Sequence, residues 1–210
     1  MTKAMKLGPE PKAPRVILAS ASRIRRTMLA NAGVDVACET AGVDEAVVKD
    51  AMRARGESVD AIAAALAESK ARAVSTRNPD ALVIGADSMI ACDDTHFDKP
   101  PDPERAVAQL LALAGRTHRL LSAAVVLRAG EVVWREVDAA RLTMRPFGRD
   151  FAERYVATIG DAATASVGAY QLEGLGAQLF VRVEGDFFTV LGLPLLPLLG
   201  FLRSQGAIAR

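Results

Sequence analysis

The chain has 210 residues, of which 50% are hydrophobic, and it carries 26 Lys and Arg residues against 25 Asp and Glu residues. This length and hydrophobic content provide for a substantial buried core, so they argue against disorder over most of the chain. The net charge of +1 excludes the large basic excess of a dedicated nucleic-acid-binding protein. We therefore expect no nucleic-acid partner, and any anion site must be a local cluster of cations.

The first half of the chain alternates short apolar runs with helical patterns. In chain order these predict a buried strand over residues 15–19, a helix over 23–32, a strand over 34–39, a loop or short helix over 42–56, a helix over 58–75 and a buried strand over 81–86. Asp87 follows the last of these runs, so its carboxylate is predicted to lie at the carboxyl end of a buried strand.

The second half combines helices, a hairpin and a glycine-rich segment. The patterns predict a helix from residue 102 to near 115, a hairpin of strands 118–127 and 132–144, a helix over 149–158, a glycine-rich segment over 168–176, a strand over 178–183 and a final helix opened by residues 192–194. Strands interleaved with helices, together with a hairpin, indicate an α/β fold with a mixed sheet flanked by helices.

No segment of the sequence predicts secretion or membrane insertion. Residues 1–13 lack the apolar core of a signal peptide and predict a disordered lead-in to one domain over 14–210, built as one body or as two lobes around a cleft. Residues 187–202 are the most apolar stretch, but they fall short of the roughly 20 residues that span a bilayer and predict a core strand followed by a helix. Cys38 and Cys92 fit no metal-binding spacing, and two buried free thiols in a cytoplasmic protein without membrane contacts are expected.

The first candidate for chemistry is an anion site at the start of the first helix. Ser20 and Ser22 follow a predicted strand, and Arg25 and Arg26 lie in the opening turns of the helix. The free N–H groups and the positive dipole end of a helix bind anions, and arginines strengthen such a site for phosphate. The alternative is a serine that caps the helix, with two solvated arginines.

Two carboxylates and two lysines are the next candidates. Asp87 could hold a divalent cation or orient a water molecule, or it could simply begin a turn. Glu45 belongs to an adjacent carboxylate pair, which is usually solvated. Lys70 shares one helix face with apolar residues, so it points either outward or into a cleft. Lys99, held by the following proline, could meet phosphate oxygens, or it could be an ordinary loop lysine.

The glycine-rich segment contains Glu173, whose carboxylate could accept hydrogen bonds from the edge of a base. The alternative is a segment that only makes turns. His96 and His118 are isolated, and His118 is predicted to be a structural or surface strand residue. The sequence contains no phosphate-binding loop of the GxxxxGK[ST] type, no HExxH pair and no nucleophile elbow.

Taken in order, these stretches resemble the Maf-like nucleotide pyrophosphatases from about residue 16 to residue 206. The resemblance rests on LASASRIRRTMLANAGV, VDE, LAESKA, VIGADSMI, DKPPDPERA, LAGRTH, GAYQLEGLGAQLF and GLPLLPLL. The order of all eight stretches is far more specific than any one of them. One departure is Arg23, where the family usually has proline.

The resemblance implies a fold like that of the inosine triphosphate pyrophosphatases, a homodimer, and a divalent cation, Mg²⁺ with Mn²⁺ as the alternative. It implies that Asp87 is the catalytic proton acceptor and that Glu45 and Asp87 lie near the metal, with the division of these two roles open. The other positions that match the family motifs are Ser20, Ser22, Arg25, Lys70 and Lys99.

The resemblance also implies a house-cleaning hydrolase that converts a nucleoside triphosphate, either a standard or a modified one, to the monophosphate and diphosphate. Ile24, Ser88 and Glu173 match the positions that vary with substrate. The branch that cleaves dTTP and UTP typically has Arg, Thr and Gln there. Glu173 resembles the branch that cleaves 7-methyl-GTP, while Ile24 and Ser88 match neither branch. The alternative function is a nucleotide-binding regulator of cell division without catalysis.

Overall fold

The computed structural model describes residues 13–209, so all but the last residue of the expected lead-in over 1–13 lies outside the described part of the chain. The strands are β1 (Val16–Leu18), β2 (Val36–Cys38), β3 (Leu82–Cys92), β4 (Thr95–Phe97), β5 (Thr117–Arg128), β6 (Glu131–Met144) and β7 (Phe180–Glu184). The helices are α1 (Arg23–Asn31), α2 (Glu45–Ala54), α3 (Val59–Ser75), α4 (Pro103–Leu113), α5 (Arg149–Ile159), α6 (Ala162–Ala165), α7 (Phe187–Val190) and α8 (Leu195–Ser204), with 3-10 turns at Val167–Ala169 and Leu175–Leu179.

All seven strands form one mixed sheet in the order β2-β1-β3-β5-β6-β7, with β4 paired to β3. The strand β1 is parallel to β2 and β3, whereas the pairs β3–β5, β5–β6 and β6–β7 are antiparallel. The α/β fold with a mixed sheet and flanking helices is therefore confirmed. The single domain over 14–210 stays a prediction. No helix in the described part of the chain is long and apolar enough to cross a membrane.

The position of Asp87 in its strand differs from the sequence prediction. The predicted strand ended before Asp87, but β3 continues to Cys92 and holds Asp87 near its middle. The reason is a change of neighbour: β1 pairs only with Leu82–Ile84, whereas β5 pairs with β3 as far as Ala91. The strand therefore continues past the end of β1, and Asp87 lies beside the edge that β1 leaves open.

Helix α3 approaches β3 unusually closely because Gly85 has no side chain. A Cβ atom at Gly85 would lie 1.9 Å from the carbonyl oxygen of Ala67 and 2.7 Å from the nitrogen of Ala71. Side chains at alternate strand positions point to one face, so Asp87 faces α3 as Gly85 does. The apolar face of α3, including Ile62 and Leu66, is fully buried against this face of the sheet.

Two further predictions need correction, and one choice that the sequence left open is settled. Residues 187–202 form the helices α7 and α8 rather than a strand and a helix, because Asp186 caps α7 and Gly192, at φ +106°, turns the chain before α8 begins at Leu195. Cys38 is exposed because it ends β2 at the edge of the sheet, whereas Cys92 is buried as expected. Residues 45–54, left open between a loop and a short helix, form α2.

His118 is a structural residue of β5, in agreement with the sequence. Its Nε2 atom lies 2.9 Å from the hydroxyl oxygen of Tyr170, and the imidazole is almost fully buried. Burial lowers the pKa of His118 to about 4, so the imidazole is neutral near pH 7. Tyr170 belongs to the hydrophobic core that also contains the buried residues of α4 and α5.

We expect Gly85→Ala to lower the free energy of unfolding by about 3 kcal/mol, because the added methyl group must push α3 away from β3. Denaturant unfolding measures the effect. The matched control is Gly200→Ala in α8, where a Cβ atom would meet nothing within 4 Å. This control should stabilise the protein by about 0.5–1 kcal/mol, since alanine favours a helix over glycine. Equal stability of the two variants would contradict the close approach at Gly85.

Candidate active site

The centre of the site is a buried ammonium group shared by two carboxylates. The Nζ atom of Lys70 lies 2.7 Å from Oδ1 of Asp87 and 2.8 Å from Oε1 of Glu45. Lys70 is 9% exposed and Asp87 is 6% exposed, so this ion pair is largely shielded from water. The structure thus brings together three of the four charged residues, two carboxylates and two lysines, that the sequence offered as candidates for chemistry.

Three separate elements position these side chains. Lys70 lies on the buried face of α3, one turn from Ala67, and the close contact at Gly85 brings it over β3. Glu45 is the first residue of α2, and this helix begins there because the side chain of Asp44 accepts hydrogen bonds from the backbone N–H groups of the first turn. A carboxylate in the first turn also interacts favourably with the positive end of the helix dipole.

The charges around Glu45 keep it ionised. Burial alone would raise the pKa of this carboxyl, but the hydrogen bond from Lys70 and the positive charges of Lys70, Lys49 and Lys99 hold the pKa below its ordinary value. Glu45 is therefore available as an anionic ligand throughout the neutral pH range.

Lys99 belongs to the same electrostatic neighbourhood. Partial burial and the positive charges of Arg25 and Lys70 lower the pKa of Lys99, while the negative charges of Glu45 and Asp87 raise it. The structure records no hydrogen bond or ion pair that commits the Lys99 ammonium group to another described residue. It is therefore a cation available to a ligand.

Arg25 is largely committed to the protein itself. Its Nε–H donates to the carbonyl oxygen of Gly192 at 2.7 Å, and Nη1 donates to the carbonyl oxygen of Ala86 at 2.9 Å and to Oγ of Ser20 at 3.2 Å. Nη2 donates to Oγ of Ser88 at 2.9 Å. Only one of the five N–H donors of a guanidinium group remains for a substrate. Burial lowers the pKa of Arg25, opposed by the charges of Asp87 and Glu45.

The serines of the first motif shape the start of α1. Ser22 is the N-cap, and its Oγ accepts a hydrogen bond from the backbone N–H of Arg25 at 3.4 Å. The Oγ atom of Ser20 accepts from the backbone N–H of Ser22 at 3.2 Å. Both serines line a cavity of about 180 Å³ at the carboxyl ends of β1 and β2, together with Arg23 and Arg26. Ligands of α/β sheets bind at such strand ends.

The three positions that the resemblance links to substrate choice have different surroundings. Ser88 lies inside the network, because it accepts from Arg25 and shares a 3.0 Å hydrogen bond with Ser122. Ile24 packs against the hydrophobic core on the other side of the sheet. Glu173 is exposed and near Tyr155, and no hydrogen bond or ion pair of the described residues joins it to the ionic cluster. The structure thus groups Ser88, but not Glu173, with the charged residues.

A further group of charges, which the sequence did not predict, lies next to Glu45. The Nζ atom of Lys49 lies 2.6 Å from Oδ1 of Asp98 and 3.8 Å from Oε2 of Glu45. Arg53 adds a 3.3 Å contact to Oδ2 of Asp98. The spacing of Glu45 and Lys49, four residues apart in one helix, was a signal that could have found this pair. Nothing in the sequence showed that Asp98 folds against α2.

The carboxylate pair fits a divalent cation. Glu45 and Asp87 already bind one cation, the Lys70 ammonium group, so their oxygens converge on a common position. The described residues contain no group of three or more His, Cys, Asp or Glu side chains that could hold a metal. Mg²⁺ suits such a site, because it commonly uses one or two carboxylates and completes its shell with phosphate oxygens and water.

The fold and the ionic cluster define an α/β protein in which two convergent carboxylates share a buried ammonium group near the N-terminus of a helix. The chain belongs to the Maf-like family, because the model of that family, described as "Maf-like protein", matches residues 15–205.

The chain is also similar to curated relatives over nearly its whole length. It is 54% identical to a nucleoside triphosphate pyrophosphatase of Paramagnetospirillum magneticum, over 91% of this chain and 99% of the relative. It is 50% identical to a protein of the same name from Granulibacter bethesdensis, over 92% and 98%. It is 52% identical to a 7-methyl-GTP pyrophosphatase of Mesorhizobium japonicum, over 92% of this chain and 98% of the relative.

We expect Arg25→Lys to lower the free energy of unfolding by about 2 kcal/mol, because a lysine cannot reach all four acceptors and leaves buried carbonyl groups unpaired. Denaturant unfolding of the purified variant measures this loss. The control is Arg26→Lys, an exposed arginine in the same helix, which should leave stability within about 0.5 kcal/mol. If both variants are as stable as the parent protein, Arg25 does not brace the site.

Proposed function

We propose that this protein hydrolyses nucleoside triphosphates to the monophosphate and pyrophosphate. The observation that carries the proposal is the buried ion pair of Asp87 and Lys70, which Glu45 joins from a partly exposed position, with the free cation of Lys99 in the same electrostatic neighbourhood. A carboxylate pair beside phosphate-binding cations is what metal-assisted hydrolysis of a triphosphate requires. The names of the nucleoside triphosphate pyrophosphatases among the relatives support the same reaction.

In the proposed reaction, the oxygen of a water molecule attacks the α-phosphorus of the substrate. The bond between the α-phosphorus and the α–β bridging oxygen breaks, and pyrophosphate leaves with the electron pair. Asp87 takes the proton of the attacking water. Its Oδ1 atom accepts a hydrogen bond from Lys70, while the described residues donate none to Oδ2, so that oxygen can orient the water.

Cations must neutralise the roughly four negative charges of the triphosphate, and electrostatic stabilisation of this kind is usually the largest catalytic contribution. Lys70 and Lys99 supply two positive charges on one side. The N-terminus of α1, opened by Ser20 and Ser22, supplies backbone donors on another. A divalent cation, Mg²⁺ or Mn²⁺, held by Glu45 and Asp87 would supply the remaining charge.

We extend the proposal to a modified or non-standard triphosphate as substrate. Glu173 and the relatives named 7-methyl-GTP pyrophosphatase support this choice. The protein would then act as a house-cleaning enzyme of the cytoplasmic nucleotide pool, as a homodimer. Incubation with 7-methyl-GTP, dTTP, UTP and the common triphosphates in the presence of Mg²⁺ tests the proposal. Absence of pyrophosphate release from the whole panel would reject it.

Asp87→Asn should lower turnover by at least ~100-fold, the usual effect of removing a general base. Pyrophosphate release at saturating nucleotide and saturating Mg²⁺ measures the loss. The control is Asp80→Asn, an exposed aspartate ahead of the same strand, with turnover unchanged. Near-normal turnover of Asp87→Asn would remove this residue from the mechanism.

Glu173→Gln should change the preference among bases more than the maximal rate. An amide both donates and accepts hydrogen bonds, whereas a carboxylate only accepts them, so the ratio of kcat/KM for 7-methyl-GTP over dTTP should fall. Steady-state kinetics with both nucleotides measure the ratio. The control is Glu153→Gln, an exposed glutamate of α5. An unchanged substrate profile would show that Glu173 does not read the base.

A further inference from the structure

Helix α2 carries Glu45 into the site but is weakly anchored by hydrophobic packing. None of its residues is fully buried. Only Val48 and Met52 are partly buried against the core beneath α3. Burial of apolar surface is the main force that holds a helix to a sheet. The position of Glu45 must therefore depend strongly on the polar contacts of α2.

These polar contacts converge on Asp98, the residue before Lys99. Its two carboxylate oxygens accept from Lys49 at 2.6 Å and from Arg53 at 3.3 Å, and both of these cations belong to α2. Its backbone carbonyl oxygen accepts from the Nε2 atom of Gln109 in α4 at 2.8 Å. Asp98 thus joins α2 to the segment that carries Lys99, and it fixes that segment to α4.

Lys49 contacts both Glu45 and Asp98. Its ammonium group lies between the carboxylates of Asp98 and Glu45, and its side chain is 15% exposed. The Asp98 side chain is 42% exposed, but because Lys49 is mostly buried, the pair is screened less by water and salt than a pair of two exposed side chains. Glu45 on one side and Lys99 on the other are therefore held relative to each other through Lys49 and Asp98.

We infer that the Lys49–Asp98 ion pair is a positioning device that fixes Glu45 relative to Lys99 for binding of the metal–triphosphate complex. The inference rests on the proposed function. Asp87 and Lys70 lie on β3 and α3 and do not depend on this pair for their position. Loss of the pair should therefore weaken binding of nucleotide and cation while affecting the chemical step much less.

Lys49→Met and Asp98→Asn test the inference, singly and together. Each single variant should raise both KM for the nucleotide and the Mg²⁺ concentration for half-activation by about 10-fold or more, the usual effect of losing a residue that orients a metal ligand. The turnover number should fall by less than about 3-fold. The lost contacts stabilise the bound substrate and the transition state equally, so their loss raises KM but hardly changes kcat. The KM of the double variant should not exceed the higher of the two single-variant KM values, because the two residues act as one unit. Lys49→Arg should restore most of the binding, since it keeps the charge.

The matched control is Glu68→Gln. Glu68 also accepts from two cations, Arg72 at 2.7 Å within α3 and Arg135 at 3.2 Å in β6, but neither contact involves α2 or the Lys99 segment. The KM and the Mg²⁺ requirement of Glu68→Gln should match those of the parent protein.

Hydrogen exchange of the metal-free, nucleotide-free protein provides a readout that does not depend on activity. Backbone amides of α2 should exchange faster in Lys49→Met and Asp98→Asn than in the parent protein or in Glu68→Gln. The inference is overturned if α2 exchange is unchanged, if kcat falls while KM stays constant, or if the effects of the two substitutions on KM add. Absence of pyrophosphate release by the parent protein would reject the proposed function instead, and the exchange experiment would still decide whether the pair holds α2.

Discussion

The site depends on the close approach of α3 to β3 at Gly85. The missing side chain lets the helix backbone reach the strand, and the next inward-facing residue of the strand is Asp87. Lys70, one turn along α3, then lies directly over this carboxylate at 2.7 Å. A methyl group at Gly85 would separate the two elements, and the ion pair that organises the site would lose its geometry.

A buried ion pair of this kind is not a means of gaining stability. Removing charges from water is costly, and their mutual attraction often does no more than offset that cost. Further ion pairs extend from Lys70. Lys70 also contacts Glu45, Glu45 contacts Lys49, and Lys49 contacts Asp98, so positive and negative side chains alternate. Each charge of this cluster has a partner of opposite sign, so the cluster is tolerated within the fold.

Arg25 forms a second network of polar contacts next to the ionic cluster. Its guanidinium group ties the start of α1 to the open edge of β3 at Ala86 and to the turn at Gly192. Ser88 extends this contact to Ser122, whose hydroxyl donates to the backbone of Thr189 at 2.8 Å. Since Ser122 gives its hydrogen to Thr189, Ser88 must donate to Ser122, so its hydroxyl has no hydrogen left for a ligand. Arg25 and Ser88 thus hold the start of α1, the middle of β3 and the turn at Gly192 together.

The sequence by itself determined the class of fold, the start of α1 at Ser22 and the residue types needed for phosphate chemistry, because hydrophobic periodicity and capping preferences act over a few residues. It could not determine that β3 continues past Asp87, because that extension comes from pairing with β5, which lies distant in sequence. It also missed Asp98, whose partners lie in α2, and it treated Arg25 as a phosphate ligand although most of its donors are bonded to the protein. Which charges meet is decided by long-range packing, and only the tertiary structure specifies that packing.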